Sequence, residues 1–97
     1  MIYKKLFTKE FVKRIDRYKH LKRQIKTKID LLCKDPYHNC KSELLVANLK
    51  GLRSARFTKN IRIIFVICEE FFHPKCKDLG KKSIVFITID IHNKAYK

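Results

Sequence analysis

Leu49-Lys50-Gly51-Leu52-Arg53-Ser54-Ala55-Arg56-Phe57-Thr58-Lys59-Asn60-Ile61-Arg62-Ile63-Ile64-Phe65 decides the fold, because it reads as two adjacent strands joined by a tight turn. Gly51 allows a backbone bend before the first strand, expected over Ala55 to Thr58. Lys59-Asn60 is the hairpin turn, and the β-branched run that follows predicts a central strand from Ile61 to Glu69. Arg62 interrupts that apolar run, and a charge there needs a carboxylate partner, such as Glu69 or Asp90, or an exit to solvent. Arg53 and Arg56 precede it, so the three arginines are expected to converge on one sheet face.

Working outward, Ser83 to Ile91 has the same β-branched character and predicts a second central strand. The segment from Phe71 to Lys82, with His73-Pro74 and Leu79-Gly80, is the connection between the two. On the N-terminal side, Ile2 to Phe7 reads as a short edge strand and Thr8 as a helix cap. Phe11, Ile15 and Tyr18 then recur at helical spacing, with Lys9, Lys13, Arg14 and Arg17 on the opposite side. Leu21, Ile25, Ile29 and Leu32 predict a second helix from Lys19 or His20, interleaved with Lys22, Arg23, Lys26 and Lys28. Asp35-Pro36 ends it, since proline disfavours a helical residue before it. Glu43 to Leu49 reads as a short turn of helix or a docked loop. The expected architecture is α+β: an N-terminal strand and a two-helix hairpin packed on one face of a twisted, mainly antiparallel four-stranded sheet.

The 97 residues suffice for a single domain, 1–97, and carry 24 Lys and Arg against nine Asp and Glu, a formal charge of +15. So large a charge on one small surface favours an acidic partner. The apolar runs are far shorter than the roughly 20 residues of a membrane span. The N-terminus lacks the apolar core of a signal peptide, so a cytoplasmic protein is expected. In that compartment the four cysteines, Cys33, Cys40, Cys68 and Cys76, are expected as thiols. Cys68 to Cys76, with His73 between, lacks a Cys-x-x-Cys pair, and a fourth ligand would have to come from Cys33, His38 or Cys40. No metal and no cofactor are therefore expected.

The chain closes with His92-Asn93-Lys94-Ala95-Tyr96. A turn of L-x-G type, an arginine-bearing strand, an R-I-I-F strand and an H-x-x-x-Y tail, in this order and behind two basic helices, resemble the RelE/ParE superfamily of small bacterial and archaeal toxins. The resemblance implies the toxin of a type II toxin-antitoxin pair, an endoribonuclease that cuts mRNA on the ribosome. Its partners would be an acidic antitoxin, the ribosome and mRNA. It implies catalytic roles for Arg62, Arg56, His92 and Tyr96, and places Arg53, Lys50, Lys22, Arg23 and Lys26 among residues that contact RNA. Asp90 and Thr88 stand where some relatives carry a further arginine, and a glutamate base like that of the YoeB branch is not evident, leaving His92 to substitute.

The chemistry suits those residue types. RNA carries its own nucleophile, the 2′-hydroxyl, so an enzyme needs a proton acceptor, cations around phosphorus and a proton donor for the 5′-oxygen. Arginine grips two phosphate oxygens while staying charged, and histidine titrates near neutrality. Tyrosine fits stacking or positioning better than base catalysis. Two other readings stand beside this one: a ParE-like DNA gyrase inhibitor, and a member that binds RNA or antitoxin without cleaving.

Overall fold

The structure, a computed structural model, describes residues 2–45 and 51–91. Strand β1 (Lys4–Phe7) leads into helices α1 (Lys9–Arg17) and α2 (Lys22–Lys34), followed by strands β2 (Glu43–Leu44), β3 (Arg53–Arg56), β4 (Ile61–Ile67) and β5 (Ser83–Ile91). Thr8 caps α1 as its sequence position predicts: its Oγ1 accepts from the Phe11 amide at 3.1 Å and donates to the Ile87 carbonyl at 2.6 Å. The cap thus ties the helix start to β5. A 3₁₀ turn at Lys19–Leu21 separates the helices, so α2 begins slightly later than its periodicity suggests. It stops at Asp35, whose extended backbone is the conformation a following proline favours.

The strands form one sheet in the order β1-β5-β4-β3-β2, with β1 parallel to β5 and the other pairs antiparallel. The α+β class and the helix hairpin on one face stand as expected; among the described residues the sheet has five strands rather than four. The extra one is β2, where a helical turn or docked loop was expected. Pairing of Glu43 with Ser54 and of Leu44 with Arg53 settles the extended form. Two residues carry no period for a sequence reading to detect.

Phe11 of α1 and Ile25, Ile29 and Leu32 of α2 bury against Ala55, Ile63, Phe65, Ile67, Ile84, Phe86 and Ile89. A bulge in β5 opposite Ile64 and Phe65 leaves Ile87 unmatched and re-phases the strand, so that Ile89 rejoins this core. A smaller core, Val66, Val85 and Cys76 with Leu6, Leu52, Cys68, Leu79 and Ile87, fills the other face. It lies under the 68–82 connection, which straps that half of the sheet. Ile63 to Ile67 are therefore buried on both faces, the physical reason for a run without alternation.

Cys68 and Cys76 are joined by a disulfide, a correction to the expectation of four thiols; Cys33 and Cys40 are free. The strap brings the two sulfurs together, which spacing alone does not reveal. Among the described residues no His, Cys, Asp or Glu group has the makings of a metal site. No helix among them is long and apolar enough to cross a membrane.

Candidate nucleic-acid interface

Along β4, Ile61, Ile63, Phe65 and Ile67 face the helices, so Arg62 points to the other side, beyond the end of the strap. Its neighbour in register on β3 is Arg56, and on β5 it is Asp90. Like charges directly opposite on a sheet are destabilising unless an anion lies between or beside them. Arg56 is exposed, whereas the Arg62 side chain keeps only 12% of its surface. Arg62 Nη1 donates to Ser54 Oγ at 3.1 Å and reaches Glu43 Oε1 at 3.5 Å. Its Nε is buried without a hydrogen-bond partner.

Glu43 is the functional candidate that the sequence reading missed. It sits on the two-residue edge strand β2, is 60% exposed, and supplies the carboxylate that Arg62 meets. One signal existed: Glu43 is the only acidic residue between Asp35 and Glu69, in a stretch otherwise rich in Lys and Arg. Of the two carboxylates expected as partners for Arg62, Glu69 is engaged elsewhere and Asp90 is its neighbour in register.

Arg53 does not join Arg56 and Arg62, which corrects the expected convergence of all three. Strand alternation places it with Ala55 on the helix side, where Glu70 grips it twice, at 2.9 and 3.1 Å. Its Nη1 donates to Ser42 Oγ at 3.1 Å and its guanidinium lies 5.0 Å from the centre of the Tyr37 ring. Beside it, Glu69 accepts from the Tyr3 and Tyr37 hydroxyls and pairs with Lys82 at 3.6 Å. The hydrogen bond from Tyr3, helped by those from Tyr37 and Lys82, holds the Glu69 carboxyl below its ordinary range against its partial desolvation. Burial, followed by the Glu69 contact, pushes both tyrosines up.

Lys22, Arg23 and Lys26 are exposed on α2, on the flank of its buried stripe, and none forms an ion pair among the described residues. The sheet lies between them and Arg62, so the helix cations form a separate basic surface. Lys50, His92 and Tyr96 lie outside the described residues.

The fold, a helix hairpin on one face of this sheet, is that of solved toxins from toxin-antitoxin pairs. A chain of the RelBE2 toxin-antitoxin complex from Mycobacterium tuberculosis superposes with a TM-score of 0.67 and 18% identity, over 94% of this chain and 99% of that one. The YoeB/ParE toxin from Agrobacterium tumefaciens gives 0.71 at 16% identity, over 92% and 98%. A chain of the DinJ-YafQ toxin-antitoxin complex from E. coli gives 0.68 at 16%, over the full length of both. No protein-family model matches the sequence, and no curated protein matches it.

Proposed function

We propose that this protein is the toxin of a type II toxin-antitoxin pair and cleaves mRNA on the ribosome without a metal. The observation that carries the reading is the pair Arg56 and Arg62, face to face on adjacent strands, with a guanidinium nitrogen of Arg62 left unpartnered. A phosphate beside them relieves the repulsion and offers acceptors to the exposed Arg56 guanidinium.

The 2′-oxygen attacks phosphorus, the P–O5′ bond breaks, and the products are a 2′,3′-cyclic phosphate and a 5′-hydroxyl. Arg56 and Arg62 stabilise the charge that builds on the phosphorane oxygens. Glu43, beside Arg62, accepts the 2′-hydroxyl proton; His92 supplies the proton to the 5′-oxygen, and Tyr96 stacks on a base. Lys50 contacts the RNA backbone. Lys22, Arg23 and Lys26 dock ribosomal RNA, and the antitoxin is a small acidic protein. The setting is the cytoplasm.

Induced expression with primer extension on a translated reporter mRNA tests this. Cuts within codons that vanish in Arg62→Ala, Glu43→Gln and His92→Ala support the nuclease. Growth arrest with intact mRNA would move the target to gyrase, and neither arrest nor cleavage would leave a protein that only binds.

A further inference from the structure

The strap between β4 and β5 presents two exposed aromatic rings on a firm base. Phe71 is 43% and Phe72 65% exposed. One face of the Phe71 ring lies over Gly51: a Cβ there would come within 2.5 and 2.6 Å of the ring carbons, and Gly51 itself has φ +90°. The strap is pinned by the buried Cys76 in its 3₁₀ turn and by His73, whose Nδ1 accepts from the Lys75 amide at 3.0 Å, and the Cys68–Cys76 disulfide adds to these wherever the surroundings leave it oxidised. The Phe71 ring is therefore held in place before any partner arrives, with Phe72 beside it in the chain.

The charge around the rings is positive. Lys75, Lys77 and Lys81 are exposed on the strap and form no ion pair among the described residues, unlike Lys82, which is held by Glu69. Glu69 and Glu70 are both neutralised by basic partners, which leaves exposed Asp78 as the strap's own acid against Lys75, Lys77 and Lys81. Aromatic faces among free cations match the chemistry of single-stranded nucleic acid, in which each base offers a π-face and each linkage a negative charge. Gly51 lies two residues beyond Arg53, which is level with Phe65, three residues along β4 from Arg62. At about 3.3 Å per residue the rings lie roughly 16 Å along the sheet from Arg62, within one strand's path.

We propose that Phe71 and Phe72, flanked by Lys75, Lys77 and Lys81, form a stacking platform for single-stranded RNA, gripping the message at a distance from the arginine pair. The partner class rests on the RNA-directed reading above; the platform adds a second point of contact to it.

The probe is a 2′-O-methyl oligouridylate, which lacks the free 2′-hydroxyl and so is bound without being cut. Since the chain contains no tryptophan, F72W places a single indole on the platform. Its emission should be quenched by the oligonucleotide. Phe72→Leu keeps the apolar bulk but removes the π-face, and should bind about tenfold more weakly than wild type with an unchanged melting temperature. Lys75→Gln, Lys77→Gln and Lys81→Gln together should flatten the salt dependence of binding. Wild-type affinity in Phe72→Leu, or F72W emission that answers to an acidic amphipathic peptide and not to the oligonucleotide, overturns the platform. Arg62-dependent mRNA cleavage alongside unchanged Phe72→Leu binding removes the platform alone. Phe72-dependent binding without cleavage removes the nuclease reading and keeps the platform.

Discussion

Ser54 Oγ lies 3.1 Å from Arg62 Nη1, and Ser54 is fully buried on the strand beside it. That hydrogen bond fixes one arm of the guanidinium. Arg62→Ala should lower mRNA cleavage at least tenfold, since a charge-stabilising donor is commonly worth about 2–4 kcal/mol. Ser54→Ala leaves the charge but frees the arm, and should lower kcat several-fold while Ser54→Thr retains most of it. Equal rates for Ser54→Ala and wild type would show that Arg62 needs no such support.

Arg53 should behave differently. Its two-pronged pair with Glu70 and its place over Tyr37 make it a brace between β3, the end of β4 and the chain after α2. Arg53→Ala should reduce stability by about 1–3 kcal/mol, because Glu70 is left without its partner. Cleavage per folded molecule should stay constant. Thermal melts paired with cleavage assays on the same preparation check both halves.

The Glu69 cluster predicts acid sensitivity. Its folded carboxyl titrates below the ordinary value of 4.5, so the folded state binds that proton less readily than the unfolded chain. The resulting stabilisation is complete above the unfolded value and is lost as pH falls through the folded one. Glu69→Gln should melt at a lower temperature than wild type at pH 7, and the gap should close below about pH 4.5. Parallel melting curves from pH 7 to pH 3 would expose a constant gap, the outcome contrary to this account.

The Cys68–Cys76 bridge closes a short loop, with a sequence separation of 8. Loop-closure entropy for a ring of that size gives about 2–3 kcal/mol. Cys76→Ser, or treatment with a dithiol, should lower the melting temperature, and thiol titration of the unfolded, unreduced protein should find only Cys33 and Cys40 reactive. Four reactive thiols would remove the bridge.

Charge reversal at Lys22, Arg23 and Lys26 should weaken ribosome binding and reduce the slope of log affinity against log salt by about 2–3, one step for each phosphate no longer neutralised. An unaltered slope would make this flank of α2 a solvated surface only.

Much of this molecule was legible along the chain because its signals are local. Thr8 and Asp35-Pro36 mark helix boundaries by what their own backbones and side chains permit, and the periodicity of Phe11, Ile25, Ile29 and Leu32 shows which face is buried. Arg62 was conspicuous as a charge inside a β-branched run. The register of Arg56 and Arg62 was not legible: a two-residue turn at Lys59-Asn60 would set Arg56 opposite Ile63, whereas the longer connection in the structure sets it opposite Arg62.

Other features depend on residues distant in sequence and have no local trace. Arg53 looks as available as Arg56 until the fold brings Glu70, Ser42 and Tyr37 around it. Glu43 looks like an ordinary loop acid until two residues of edge pairing set it against Arg62. The sequence by itself determined the helix hairpin, the central strands, the large positive charge and the arginine that breaks the apolar run, because propensity, period and charge are properties of neighbouring residues. Only the tertiary structure decided which cations stay unpaired, which cysteines join and which carboxylate meets Arg62, because those outcomes depend on distances between side chains that only packing of the whole chain sets.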